Sequence, residues 1–207
     1  MLTLTESKGV WQSAVIEQYA NGVATFGHPV TDAAGDIFFV KYPADGIQEL
    51  VKLTPPTSST GKWTSAPIHS FGNYSSPSET LVMDTEGNIY GLASGGTALT
   101  LWNLAPLTNN SPKYKFSTLY TYPNNGMAGT TGLLSDGAKG FYNETYNLHA
   151  GAILHAQPPV PGKKLWTGST TYNPGTLVTP SLYSDGKLLV TTPTDIRALT
   201  LTTLQFL

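Results

Sequence analysis

The sequence predicts an all-β fold built from four similar units of about 50 residues. One observation is an aspartate that recurs at intervals of 52, 52 and 49 residues, as Asp32, Asp84, Asp136 and Asp185. A second is an aromatic residue that recurs at intervals of 52, 51 and 52 residues, as Trp11, Trp63, Tyr114 and Trp166. The segments between these markers alternate apolar and polar residues and are bounded by Gly, Asn, Asp and Pro, which is typical of short β-strands. Two independent markers that share one period indicate a tandem repeat.

Composition limits the classes of function. With 207 residues, of which 40% are hydrophobic, the chain is long enough to bury one core. The net charge is −2, only 12% of residues are charged and there is no basic run, so we expect neither nucleic acid nor a membrane surface as a partner. No apolar run is long enough to form a membrane-spanning helix, and the first twenty residues do not read as a signal peptide. Cysteine is absent, which excludes disulfides.

The first predicted strand of each unit, segment A, runs into the recurring aspartate, in GHPVTD, ETLVMD, TGLLSD and PSLYSD. Aspartate at the first position of a turn accepts backbone N–H groups, and a glycine that follows supplies positive φ. A turn must be repeated in every unit, whereas a catalytic or metal-binding group need not be. The sequence therefore predicts structural turn residues at Asp32, Asp84, Asp136 and Asp185.

Three further predicted strands complete each unit. Segment B leaves the turn, in DIFFV, NIYGL, GFYNET and KLLVT. Segment C follows a break, in GIQELVKLTPP, TALTLWNLAP, GAILHAQPP and DIRALTL. Segment D begins at the aromatic marker, in WQSAVIEQYA, WTSAPIHSF, YKFSTLYTY and WTGSTTY. We expect the large rings of the markers to fill the space between neighbouring units.

Four-stranded antiparallel units with this period are typical of a β-propeller, in which each unit is one blade. The units span about 20–71, 72–122, 123–172, and 173–207 plus 11–19. Because the chain opens with a D segment and the last unit lacks one, we predict that the N-terminal strand completes the last blade. A four-bladed monomer, an eight-bladed homodimer and a piece of a longer array all fit this pattern.

The second unit carries a resemblance to a known family. Its sequence, HSFGNYSSPSETLVMDTEGNIYGLASGGTALTLWNLAP, resembles the GloVer tandem repeats of bacterial extracellular proteins. The matching positions are Phe71, Pro77, Leu81, Asp84, Gly87, Asn88, Tyr90, Gly91, Gly95, Gly96, Leu104 and Pro106. The resemblance implies a β-propeller-like scaffold without an assigned reaction, and an extracellular or surface-associated location.

A candidate ligand surface lies where the D–A and B–C connections would meet on one face of a propeller. Asparagines beside aromatic residues recur there at intervals of 52, 52 and 48 residues. Aromatic rings with amide and carboxylate groups suit carbohydrate, although Asn also shapes turns without binding anything. The candidate ligand-binding residues are Asn73, Tyr74, Asn125, Tyr142, Glu144, Tyr146 and His149.

The sequence therefore favours a non-catalytic module for recognition or structure, with a glycan or a protein as its ligand. We expect no cofactor, and no metal, because the four histidines lack the spacing of a zinc site. No common catalytic motif occurs. The alternative is a glycoside hydrolase or lyase that uses Glu144 with Asp45 or His149, which requires a second carboxylate within about 5 to 10 Å.

Overall fold

In a computed structural model, the chain folds into antiparallel β-sheets. The structure describes residues 2–7, 10–16, 24–44, 46–58, 61–72, 76–77, 80–95, 98–107, 113–122, 132–147, 150–173, 179–184 and 187–200. Every regular element within these ranges is a β-strand, from β1 to β18, so the predicted all-β class is confirmed. No helix in the described ranges could span a membrane.

The first two large sheets follow the predicted strand order. In the first sheet, neighbouring strands are consecutive in the chain: β3 (Ala24–Thr31), β4 (Ile37–Tyr42), β5 (Glu49–Thr54) and β6 (Thr64–Ser70). The second sheet has its first strand in two short pieces that both pair with β9: β7 (Ser76–Pro77), β8 (Val82–Met83), β9 (Ile89–Gly95), β10 (Ala98–Pro106) and β11 (Tyr114–Tyr122).

The third and fourth sheets repeat this order of strands. The third consists of β12 (Leu133–Ser135), β13 (Phe141–Asn147), β14 (Ala150–Gln157) and β15 (Thr167–Tyr172). The fourth has three described strands: β16 (Thr179–Ser184), β17 (Lys187–Thr191) and β18 (Ile196–Thr200). Each predicted A, B, C and D segment overlaps a strand, because the alternation and turn signals that define strands are local.

The large sheets stack face to face in chain order, and the core lies between them. Between the first and second sheets, Phe38, Val40 and Leu50 pack against residues that include the fully buried Trp102. The other two interfaces hold similar buried clusters, the second with Leu92, Leu101, Phe141 and Leu154, and the third with Tyr142, Ile153, Leu188 and Val190. The second and third sheets thus bury residues on both faces, as the five consecutive buried residues 89–93 of β9 illustrate.

Corresponding strands of neighbouring sheets lie next to each other. The first strands contact one another in the series β3, β8, β12 and β16, and the last strands do so in the series β6, β11 and β15. The aspartate turns of the first three sheets therefore lie at one end of the stack. We call this end the turn end.

The N-terminal segment corrects the prediction for chain closure. The predicted D strand is present as β2 (Val10–Val15), but it pairs with β1 (Leu2–Ser7), a strand that the sequence analysis missed. Ile16 then packs against Phe39, Val51 and Leu53 of the first sheet. The prediction that the N-terminal strand completes the last sheet of its own chain is therefore wrong in this structure. A hairpin across two residues has a far smaller loop-closure cost than pairing with the other end of the chain.

Candidate functional site

The aspartate turns of the first three sheets share one hydrogen-bonding pattern. In each turn the Oδ1 atom of the aspartate accepts two backbone N–H groups, two and four residues further on, at 2.7–2.9 Å. A glycine with positive φ follows the aspartate three residues later in the first two turns and one residue later in the third. The three aspartates are Asp32, Asp84 and Asp136, and the predicted fourth, Asp185, lies outside the described residues.

The second carboxylate oxygen has a different environment in each turn. Oδ2 of Asp84 accepts hydrogen bonds from Nδ2 of Asn88 at 2.8 Å and from the hydroxyl of Tyr90 at 2.9 Å. Oδ2 of Asp136 lies 2.8 Å from Nε2 of His155. In the first sheet the residue that corresponds to Tyr90 is Phe38, which has no hydroxyl, and no described residue donates to Oδ2 of Asp32.

The pKa values of two of these carboxyls reflect this bonding. Burial alone would raise the pKa of Asp84, but hydrogen bonds from Asn88, Tyr90 and Glu86 outweigh burial and lower the pKa. Burial likewise opposes the charge of Asp136, and the hydrogen bonds from His155 and two backbone N–H groups lower its pKa below the ordinary value. Both carboxylates are thus ionised acceptors whose oxygens are already engaged.

A cavity of about 920 Å³ opens between the first and second sheets at the turn end. We call it the turn cavity. Its charged lining residues come from two aspartate turns and from β5, and its rings come from β4 and β11. These charged and aromatic lining residues are Asp32, Asp36, Asp84, Glu86, Lys52, Phe38 and Tyr114.

An ion pair forms part of the cavity wall. Nζ of Lys52 lies 2.5 Å from Oδ2 of Asp36 and 5.7 Å from the ring centroid of Phe38. Burial alone would lower the pKa of Lys52, but its hydrogen bond to Asp36 and the nearby Tyr114 raise it. Asp36 is itself only 5% exposed, and its Oδ1 atom is buried without a hydrogen-bond partner among the described residues. The ammonium of Lys52 is therefore already neutralised by Asp36, whose other oxygen is enclosed by the protein.

Tyr114 supplies the aromatic wall of the cavity. It is one of the recurring aromatic markers and the first residue of β11. Its ring meets that of Phe38 edge-on, with centroids 6.3 Å apart, and burial raises the pKa of its hydroxyl. Two residues along the same strand, Phe116 stacks on His69 and Trp102 and does not line the cavity. The cavity therefore presents a ring beside charged hydrogen-bonding groups.

The turn cavity is electronegative. Four carboxylates and one ammonium group line it. At the rim, Nζ of Lys139 lies 3.0 Å from Oε1 of Glu86, but both side chains are about two-thirds exposed, so this pair is weak. The excess negative charge favours a cationic group inside the cavity.

A second cavity, of about 1050 Å³, lies at the same end beside the third sheet. Its lining is more apolar and comes from the connection between β14 and β15, including Pro158, Pro159, Val160 and Leu165, with Asp136 at one side. Sequence reasoning placed the ligand surface at the opposite end and missed both cavities. One sequence feature could have pointed to this end. The C–D connections of three units each carry proline and then lysine shortly before the aromatic marker, in TPPTSSTGKW, APLTNNSPKY and QPPVPGKKLW.

Two of the predicted ligand-binding residues lie in the interior. Tyr142 is 3% exposed and stacks on His155, with ring centroids 4.1 Å apart. Glu144 is 5% exposed, and its Oε2 atom has no hydrogen-bond partner within the described ranges. Tyr146 lies in β13 opposite Gly151, and its side chain lies outside what the structure describes. Five further predicted residues lie entirely outside the described residues, so their roles stay predictions: Asn73, Tyr74, Asn125, His149 and Asp45.

Metal binding has no support in the described part of the chain, where no three His, Asp or Glu residues cluster closely enough to hold an ion. Comparisons with known proteins add no functional assignment. No protein-family model matches the chain, and no curated protein matches it.

Proposed function

We propose that this chain is a recognition module with β-propeller architecture, and that it binds a glycan in the turn cavity. The observation that carries the proposal is an open cavity in which the ring of Tyr114 stands beside Asp32, Asp36 and Lys52. Sugar rings pack their C–H surfaces on aromatic faces, while their hydroxyls need polar partners that are fixed in position. The turn cavity offers both.

The propeller architecture is supported by the way the sheets stack. Corresponding strands contact each other from sheet to sheet, and the central sheets are apolar on both faces, as blades are. The resemblance of the second unit to GloVer repeats also implies a β-propeller-like scaffold. Closure of the ring requires a cover for the outward face of the fourth sheet, where Ile196 is 71% exposed and Leu189 is half-buried. That cover belongs either to the same chain or to a second copy.

Solution mass distinguishes the two forms of closure. A four-bladed ring has the mass of one chain, 22.1 kDa, and an eight-bladed ring has twice that mass. Light scattering coupled to size exclusion measures this directly. Replacement of Ile196 by Asp places a charge on the outward face of the fourth sheet, so it should dissociate a dimer that closes there, whereas a ring closed within one chain should keep the mass of a monomer.

The geometry of the described residues favours a ligand site at the turn end of the stack rather than at the opposite end, where the sequence predicted it. Tyr142 and Glu144 were the best-defined members of the predicted surface, and both are buried between the third and fourth sheets. A buried ring cannot stack on a sugar without a rearrangement of that interface. Tyr114 and Lys52, by contrast, line an open cavity.

The test is a glycan array followed by titration of the best sugar. We expect Tyr114→Ala to weaken binding about tenfold, which corresponds to ~1.4 kcal/mol, because the ring that stacks on the sugar is lost. Phe116→Ala is the matched control, since it removes an aromatic ring from the same strand outside the cavity. Thermal melting shows whether each variant is folded. An array without binding, or equal losses in the two folded variants, would remove the proposal.

A further inference from the structure

We infer that the glycan bound in the turn cavity is cationic and carries free amino groups, as de-N-acetylated hexosamine polymers do. This inference rests on the proposed function, because it names the ligand class of the same cavity. Two features point to it: the excess of carboxylates in the lining, and the Oδ2 atom of Asp32, to which no described residue donates.

The excess of negative charge distinguishes this cavity from the second one. Asp32, Asp36, Asp84 and Glu86 line the cavity with one cation, Lys52, which is held by Asp36. A second cation, Lys139, pairs with Glu86 at the rim, and the carboxylates still outnumber the cations. The other cavity at this end is lined by Lys163 and Lys164 with only Asp136 as an acid. An anionic sugar, such as a uronate or a sulfated glycan, would be repelled from the turn cavity, and a protonated amine would be attracted.

The carboxylates in the cavity differ in how many of their oxygens already accept hydrogen bonds. Asp84 is occupied, because both of its oxygens already accept two hydrogen bonds each. Asp32 uses Oδ1 for its turn, and no described residue donates to its Oδ2 atom. Asp36 is more than nine-tenths buried, and its Oδ1 atom lacks a partner in the part of the chain that is described. Asp32 therefore offers an oxygen to a ligand, whereas Asp36, whose Oδ1 atom is enclosed by the protein, contributes its charge.

An ammonium group matches these acceptors better than a hydroxyl or an acetamide does. It provides three N–H donors and a positive charge, whereas a hydroxyl provides one donor and an acetamide N–H carries no charge. The ring of Tyr114 adds an electron-rich face that attracts cations, while Lys52 already lies over the ring of Phe38.

The experiment compares two oligosaccharides of equal length, a glucosamine oligomer and its fully N-acetylated form, by isothermal titration at mildly acidic pH. We expect the amine form to bind about tenfold more tightly, with an advantage that falls as salt is added, since the attraction is screened. The acetylated form should show almost no salt dependence.

Two variants assign the preference to the cavity. Asp32→Asn keeps an oxygen for the turn but removes a charge, and Glu86→Gln removes a charge from the rim. Each should lower the affinity for the amine several-fold more than the affinity for the acetylated form, because the charge that is removed attracts only the amine. Glu49→Gln is the matched control, because Glu49 pairs with Lys41 away from the cavity and should change neither affinity.

The outcomes separate this inference from the proposed function. Equal binding of the two oligomers, or a preference that survives in both variants, overturns the cationic ligand and leaves glycan binding in place. The same conclusion follows if neither oligomer binds but another sugar on the array does. If no glycan binds at all, both proposals fall.

Discussion

Nε2 of His155 lies 2.8 Å from Oδ2 of Asp136, and this contact joins the third strand of a sheet to the turn between its first two strands. The two side chains are only 13% and 10% exposed. The imidazole also stacks on Tyr142, which packs against the fourth sheet. One aspartate thus connects a turn, a strand and the interface between two sheets.

This connection predicts a specific loss of stability in acid. The lowered pKa of Asp136 means that its carboxylate stabilises the fold fully above the ordinary value of 3.8, and that this contribution is lost as the pH falls through the lower native pKa. Asp136→Asn should cost about 1–2 kcal/mol at neutral pH, because charged hydrogen bonds are replaced by neutral ones. Urea unfolding from pH 2 to pH 7 should show a flatter profile below pH 4 for this variant. Parallel profiles for the variant and the parent would contradict the role of Asp136.

Tyr90 predicts a loss of stability at high pH. Burial, and then the hydrogen bond to Asp84, raise the pKa of its hydroxyl. Above the ordinary value of 10.0 the unfolded chain loses this proton while the native chain keeps it, so native stability decreases as the pH rises further. Melting temperatures between pH 8 and pH 11 should therefore fall less steeply in Tyr90→Phe than in the parent. At pH 7 this variant should cost about 1 kcal/mol for the lost hydrogen bond. An unchanged alkaline slope would show that the buried hydroxyl is not the cause.

The backbone at Gly91 lies against the indole ring of Trp102. A methyl group at this position would overlap Cζ2 of Trp102 and come within 2.8 Å of Cε2. Since the ring is fully buried, it cannot move aside cheaply, and Gly91→Ala should cost about 1–3 kcal/mol. Gly132→Ala is the control, because a methyl group there meets open space. Chemical denaturation measures both, and equal stabilities would mean that the indole packs elsewhere.

Two adjacent residues test the placement of the N-terminal hairpin. Ile16 packs against Phe39 and Val51, whereas Val15 is 64% exposed. Ile16→Ala should lower the free energy of unfolding by about 1–2 kcal/mol, since its burial is partial. Val15→Ala should change it by less than about 0.5 kcal/mol. The reverse order would place the hairpin on another surface.

The strands were predictable because their signals are local. The alternation in TALTLWNLAP and the aspartate–glycine turn before NIYGL identify β10 and β9 without knowledge of the rest of the chain. The choice of partner for β2 was not predictable in this way. The number of strands in each unit predicted that β2 pairs with the last sheet. The actual partner, β1, is formed by LTLTES, a short alternating segment that contains neither of the repeat markers.

The candidate site was harder to predict than the fold because it depends on contacts between sheets. Tyr142 and Glu144 look like surface residues in a polar segment, yet the neighbouring sheet covers them. Lys52 and Asp36 lie 16 residues apart in a strand and a turn, and nothing in the spacing shows that they form a partly buried ion pair. The aspartates were predicted as turn residues, and Asp32, Asp84 and Asp136 have the hydrogen bonds that such a role requires.

Each described sheet is a meander in which hydrogen-bonded neighbours are also neighbours in sequence, apart from the divided first strand of the second sheet. None of the described sheets contains a strand from a distant part of the chain, so the strand pairs within each sheet can form while the polypeptide is still being synthesised. Assembly then reduces to docking preformed sheets one onto the next, as in solenoid proteins. Hydrogen exchange should accordingly reveal separate cooperative units that follow the sheet boundaries rather than one global transition.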